Sequence, residues 1–113
     1  MNPEAKTFAE DIIHHANLIQ TILADKTFDD YTNDINTRFA VERLFSIIGE
    51  AMNGLAHHAP ADVETITAYP RIIAFRNILI HRYSQVDNEI VWDIAHSYLP
   101  ILITEVTKLL KQP

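Results

Sequence analysis

Arg76, Asn77, His81 and Tyr83 put a fixed cation, an amide, an imidazole and a phenol within eight residues of one another. On an α-helix, at about 100° per residue, the four fall inside an arc of roughly 160°. A guanidinium offers a fork of donors to the non-bridging oxygens of a phosphate, and an imidazole can take or give a proton beside it near neutral pH. This is the equipment that metal-free cleavage of RNA requires: a base for the 2′-OH, an acid for the departing 5′-oxygen, and a cation for the charge that builds on phosphorus. One His81 cannot be free base and protonated acid at once. A two-fold dimer supplies the second imidazole at the same cleft.

The elements that must position these groups read as helices. Glycine occurs only at 49 and 54, and helix is the only periodic pattern with long support. Asn2 caps a first helix, with Pro3 at its first position and Glu4 in its first turn. Phe8, Ile12, Ala16, Ile19 and Leu23 then share a face, to about Asp25. Thr27 to Asn33 is polar and turn-like, with room for one helical turn. A second helix runs from about Asp34 to Ala56. Leu44, Phe45, Ile47, Ile48, Ala51, Met52 and Leu55 fill one side of it, and Glu42, Arg43, Ser46, Gly49, Glu50 and Asn53 the other. That polar stripe is a solvated face, or else Glu50 and Arg43 line a cleft or a subunit interface. A glycine inside a helix costs about 1 kcal/mol relative to alanine, a cost that a close helix crossing at Gly49 would offset.

His57-His58-Ala59-Pro60 ends this helix, and a connector with one helical turn leads to Tyr69. Pro70 opens the helix that carries the motif, from Tyr69 to about Tyr83. Ile72, Phe75, Ile78 and Leu79 form its core-facing arc, while Ile73 and Ile80 lie among the polar motif residues. A helix apolar on both sides is covered on both, and a second copy of the chain is the expected cover. Asp87 caps the last helix, with Val86 placed to staple against Val91. Pro100 interrupts this helix and should kink it.

The motif also has a plain structural reading, in which Arg76 pairs with a carboxylate such as Glu50 and His81 is a satisfied core histidine. The pairs His14-His15 and His57-His58 point adjacent residues to different helix faces, unlike the i,i+4 spacing that suits a metal. His96, four residues after Trp92, is a packing partner for the indole. No metal or cofactor is called for.

The 113 residues make one domain, 1–113, of ordinary size. Without cysteine there is neither a disulfide framework nor a thiolate metal site. The start of the chain has no signal-peptide pattern, and the apolar run Ile72 to Ile80 is interrupted by Arg76, so a cytoplasmic protein without a membrane span is expected. A net charge of −6 argues against general nucleic-acid binding, which rests on Lys and Arg. RNA would have to be met by a small basic patch such as Arg71, Arg76 and Arg82 in two copies; a basic protein partner is the other use of such a surface.

Beyond the residues themselves, Arg76-(x)4-His81-x-Tyr83 resembles the R-x4-H-x-Y signature of the HEPN superfamily, and in particular the HepT-like toxins. Ala40-Val41 with Ile47-Ile48-Gly49-Glu50-Ala51 looks like that family's second-helix signature. Phe75 to Tyr83, then Val86-Asp87, Val91-Trp92-Asp93-Ile94 and Leu99-Pro100, is similar to its C-terminal half, so the likeness covers nearly the whole chain. The resemblance implies an all-α, HEPN-type bundle of four to five helices. It implies a homodimer with the motif at the subunit interface, and a metal-independent endoribonuclease toxin acting on RNA, with transfer RNA the suggested substrate. Arg76 and His81 would be catalytic, with Asn77, Tyr83 and Glu50 in support. Asn77 would orient His81, or the phosphate, by an i,i+4 hydrogen bond. The partner would be a minimal nucleotidyltransferase antitoxin that silences the toxin by adenylylating Tyr83. HEPN-like domains also serve as non-catalytic, nucleotide- or substrate-binding subunits of nucleotidyltransferases, and that role is the alternative.

Overall fold

The fold is known from a computed structural model, which describes residues 1–112 and, of Tyr83, the backbone alone. Its elements are α1 (Pro3–Leu23), α2 (Phe28–Asn33), α3 (Ile35–His58), α4 (Pro60–Val63), α5 (Tyr69–His81), a 3₁₀ turn (Tyr83–Gln85), α6 (Asn88–Asp93), a π-helical turn (Ile94–Tyr98) and α7 (Leu99–Lys111). The described residues contain no strand, and the all-α reading holds. They form an elongated bundle of 44 × 29 × 19 Å. The central helix α3 packs on α1 along one side and on α5 along the other, and α7 closes against α1.

Local chemistry accounts for the helix starts. Asn2 accepts from the Ala5 N–H at 2.8 Å ahead of Pro3. Thr27 and Asp30 form a reciprocal capping box on α2, so the polar segment after α1 is a true helix. That helix carries a fully buried Tyr31, set against Trp92 at 5.7 Å between ring centroids. The Asp34 carboxylate accepts from the N–H groups of Asn36 and Thr37 to open α3, and Asp87 does the same for α6 through the Glu89 N–H.

The core follows the expected stripes, with Ile12, Ala16, Ile19 and Leu23 of α1 meeting Val41, Phe45, Ile48, Met52 and Leu55 of α3. Four expectations need correction. Ser46 is buried instead of solvated, because α5 crosses on that side, while Gly49 lies at the close crossing expected of it. Phe8 is only half-buried. Ile78 is 38 % exposed while Ile72, Phe75 and Leu79 are buried; it stands roughly 90° around the helix from the mean direction of those three. Finally, the motif helix stops at His81. Arg82 leaves the helical region (φ −136°, ψ 43°) while its N–H still reaches the Ile78 carbonyl, and the chain turns through the 3₁₀ segment toward the Asp87 cap. Tyr83 therefore does not extend the helical face that holds Arg76, Asn77 and His81.

At Pro100 the strain is taken up ahead of the proline. A proline ring clashes with the carbonyl four residues back and removes a donor. The chain widens into the π turn, where the Leu99 N–H bonds the Ile94 carbonyl, and Pro100 then sits in the first turn of α7.

Candidate active site

Gly49 sets the site's geometry. A β-carbon there would run into Arg76 Cβ and Cγ and come within 3.0 Å of the Ile72 carbonyl oxygen. The missing side chain lets α5 lie directly on α3 at the level of Arg76, which offsets the propensity cost of a helical glycine. One residue further along α3, Glu50 forms an ion pair with Arg76 Nη2. On the other side, Arg76 Nη1 donates to Asn77 Oδ1 at 2.8 Å. Arg76 Nε is buried and makes no hydrogen bond within the described residues. The guanidinium is thus held at both ends of its fork, with the Arg76 side chain 25 % and the Glu50 side chain 60 % exposed.

The structural reading of Arg76 is met in so far as Glu50 is its partner, and the polar stripe of α3 does reach the motif. Asn77 turns to Arg76 and does not bond His81. His81 is not a satisfied core residue: it is exposed at the end of α5 and makes no side-chain hydrogen bond within the described residues. It stands five positions after Arg76, a rise of about 7.5 Å along the helix axis. Arg71, ahead of the motif, and Arg82, within it, are exposed, and Arg43 is exposed on α3. The side chain of Tyr83, the expected site of modification, lies outside the described residues.

A preorganised cation and, about 7.5 Å further along the same helix, an exposed imidazole are groups that can bind a phosphate and exchange a proton. The model of the family described as "Ribonuclease HepT-like" matches residues 12–109, a span that contains Gly49, Glu50 and the whole motif. The chain belongs to the ribonuclease HepT-like family. Its relatives include a Methanocaldococcus jannaschii protein named "Putative RNase MJ0127", 33 % identical over 96 % of this chain and 88 % of that one. They also include the "Probable ribonuclease HepT" of Thermococcus cleftensis, 31 % identical over 98 % of this chain and 100 % of that one. No solved structure matches the chain. As a member of the HepT-like family the chain falls in the class of endoribonucleases, and the fold of its described residues fits the all-helical HEPN bundle.

His96 takes the packing role expected of it. His96 lies over Trp92, with ring centroids 4.1 Å apart, and its Nδ1 is 2.8 Å from the Trp92 carbonyl. No group of three or more His, Cys, Asp or Glu among the described residues could hold a metal. Asn53, read from the sequence only as part of the polar stripe, and His57, read only as one of a histidine pair, line one groove with Glu50. They stand three and seven positions after Glu50, so the shared-face spacing on α3 was the signal available.

Proposed function

We propose that this protein is a metal-independent endoribonuclease toxin that cuts RNA in a cleft shared by two copies of the chain. What supports this most is the clamped Arg76, held by Glu50 and Asn77 on a helix fixed by Gly49 and ending in an exposed His81. Arg76 binds the non-bridging oxygens of the scissile phosphate. A neutral His81 from one protomer takes the proton of the 2′-OH, whose oxygen forms a bond to phosphorus. The bond from phosphorus to the 5′-oxygen breaks, and a protonated His81 from the other protomer supplies that oxygen's proton. The products are a 2′,3′-cyclic phosphate and a 5′-hydroxyl. Transfer RNA is the proposed substrate and the cytoplasm the proposed compartment.

Silencing is proposed to act at Tyr83. A nucleotidyltransferase partner joins the tyrosine oxygen to the α-phosphorus of ATP with release of pyrophosphate, and the bulky anionic adduct then fills the cleft and repels RNA. The second reading, a non-catalytic subunit of a nucleotidyltransferase, is favoured by the net charge of −6, which suits a basic protein better than a polyanion.

His81→Ala tests the two readings. Loss of cleavage with an unchanged helical circular dichroism spectrum is expected, together with wild-type cleavage in EDTA and cyclic phosphate on the product. Cleavage by the alanine variant at the wild-type rate would remove His81 from the mechanism, and strict dependence on a divalent cation would remove the mechanism itself.

A further inference from the structure

Beyond the Arg76–Glu50 pair, α3 and α1 enclose a groove of about 480 Å³ lined by Phe8, Glu50, Asn53, Gly54, Ala56, His57 and His58. Its wall is built in a specific way. Gly54 leaves room for the Phe8 ring, since a β-carbon there would lie 2.5 to 2.7 Å from three ring carbons. The Phe8 ring stacks with His58 at 5.6 Å and 27°, and His57 stands edge-on to His58 at 5.1 Å and 88°. Asn2 Nδ2 donates to the His58 carbonyl at 3.2 Å, tying the start of α1 to the end of α3. Next to this aromatic wall, along the same helix α3, are the exposed Asn53 amide and the Glu50 carboxylate, which meets Arg76 through Oε2 and leaves Oε1 without a bond within the described residues.

The geometry points to a guanine subsite for the nucleotide next to the scissile phosphate. The inference rests on the ribonuclease reading of Arg76 and His81. Unpaired bases in RNA are recognised by stacking on aromatic side chains and by hydrogen bonds to their Watson–Crick edges, and this groove offers both, contiguous with the phosphate-binding cation. The choice of base follows from the polar groups. An ionised carboxylate only accepts hydrogen bonds, and guanine alone presents two adjacent N–H donors, N1–H and the N2 amino group, with a carbonyl acceptor beside them. Glu50 takes the donors and the Asn53 amide the neighbouring edge. The base stacks on the wall of Phe8 and His58. Glu50 would then both position Arg76 and select the base that lies beside the cut.

Proton NMR on the intact protein tests this with GMP, AMP, CMP, UMP and inorganic phosphate as separate ligands. GMP is expected to shift the His57, His58 and Phe8 ring resonances saturably and more tightly than the other three nucleotides, and phosphate alone to leave them in place. Phe8→Leu and Asn53→Leu should each weaken GMP binding by about tenfold. If Phe8→Leu fails to fold, the exposed Asn53→Leu carries the test. Equal binding of the four nucleotides, or shifts that phosphate alone reproduces, overturns the subsite. RNA cleavage is scored beside the titration. Cleavage without GMP-induced shifts sinks the subsite and spares the ribonuclease, whereas the shifts without cleavage leave a guanine-binding groove but sink the ribonuclease and, with it, the groove's role beside a cut.

Discussion

Arg76 owes its position to three neighbours: Gly49, which admits its β-carbon, Glu50, which holds Nη2, and Asn77, which accepts from Nη1. A mobile arginine would spend rotamer entropy on meeting a phosphate, and this one has already spent it. Glu50→Ala releases one end of the fork. Glu50 is largely exposed, so the loss in stability should be about 1 kcal/mol, while mispositioning of the cation should lower kcat by about tenfold or more. Urea melts and single-turnover cleavage separate the two effects; an unchanged kcat would show that Glu50 does not position Arg76. The pattern of arginine and histidine is plain in the sequence. The partner of Asn77 is not, because the residue could turn to either Arg76 or His81 and only the rotamers distinguish them.

At the scale of elements, the crossing of α3 and α5 decides the site. Gly49→Ala gains about 1 kcal/mol of helix propensity. It also forces a methyl group onto Arg76 and the Ile72 carbonyl, and overpacking of this kind costs about 1–3 kcal/mol. Against backbone and a β-carbon the cost should exceed the gain, so a lower denaturation midpoint is expected, with a larger loss of cleavage than of stability. A midpoint at or above that of the wild type would mean that the helices part without strain. Elsewhere on α3, burial raises the carboxyl of Glu42 above its ordinary value, with Arg38 opposing. An acid whose value rises on folding contributes stability that is complete below its unfolded value and lost as pH rises through the folded one. Ionised Glu42 therefore costs stability at neutral pH. Glu42→Gln should raise Tm at pH 7, and the gain should vanish below about pH 4.5, its ordinary value; a gain that did not depend on pH would assign the effect to something other than ionisation.

For the molecule as a whole, α5 is the unusual element. Its inner face buries Ile72, Phe75 and Leu79, yet Ile78 and Ile80 remain 38 % and 42 % exposed and Ile73 is half-buried beside the motif. Exposed apolar groups around the proposed catalytic Arg76 and His81 are what a second copy would cover. Ile80→Asp, alone and with Ile73→Asp, should convert a dimer to monomers in light scattering and abolish cleavage, with the exposed Ile80 the cleaner change because it disturbs no core contact. A dimer that survives both substitutions would place its interface elsewhere, and a wild-type monomer that cleaves would dispense with the shared cleft.

Local chemistry determined much of this protein by itself. The caps at Asn2, Asp34 and Asp87 mark helix starts because a side-chain oxygen meets an orphan N–H within three residues. The stripes of α1 and α3 mark buried faces because helical period and apolar period coincide. The spacing of Arg76 and His81 puts a guanidinium and an imidazole on one short helix, and the helix forms as that spacing implies. Tertiary structure alone decided the rest. Ser46 is buried because another helix crosses it, and Asn77 turns to Arg76 and not to His81. Phe8 left the core to lie over Gly54 and wall a groove. The first and last of these depend on which helix faces which, and a helix's own sequence specifies the face it buries but not the neighbour that buries it.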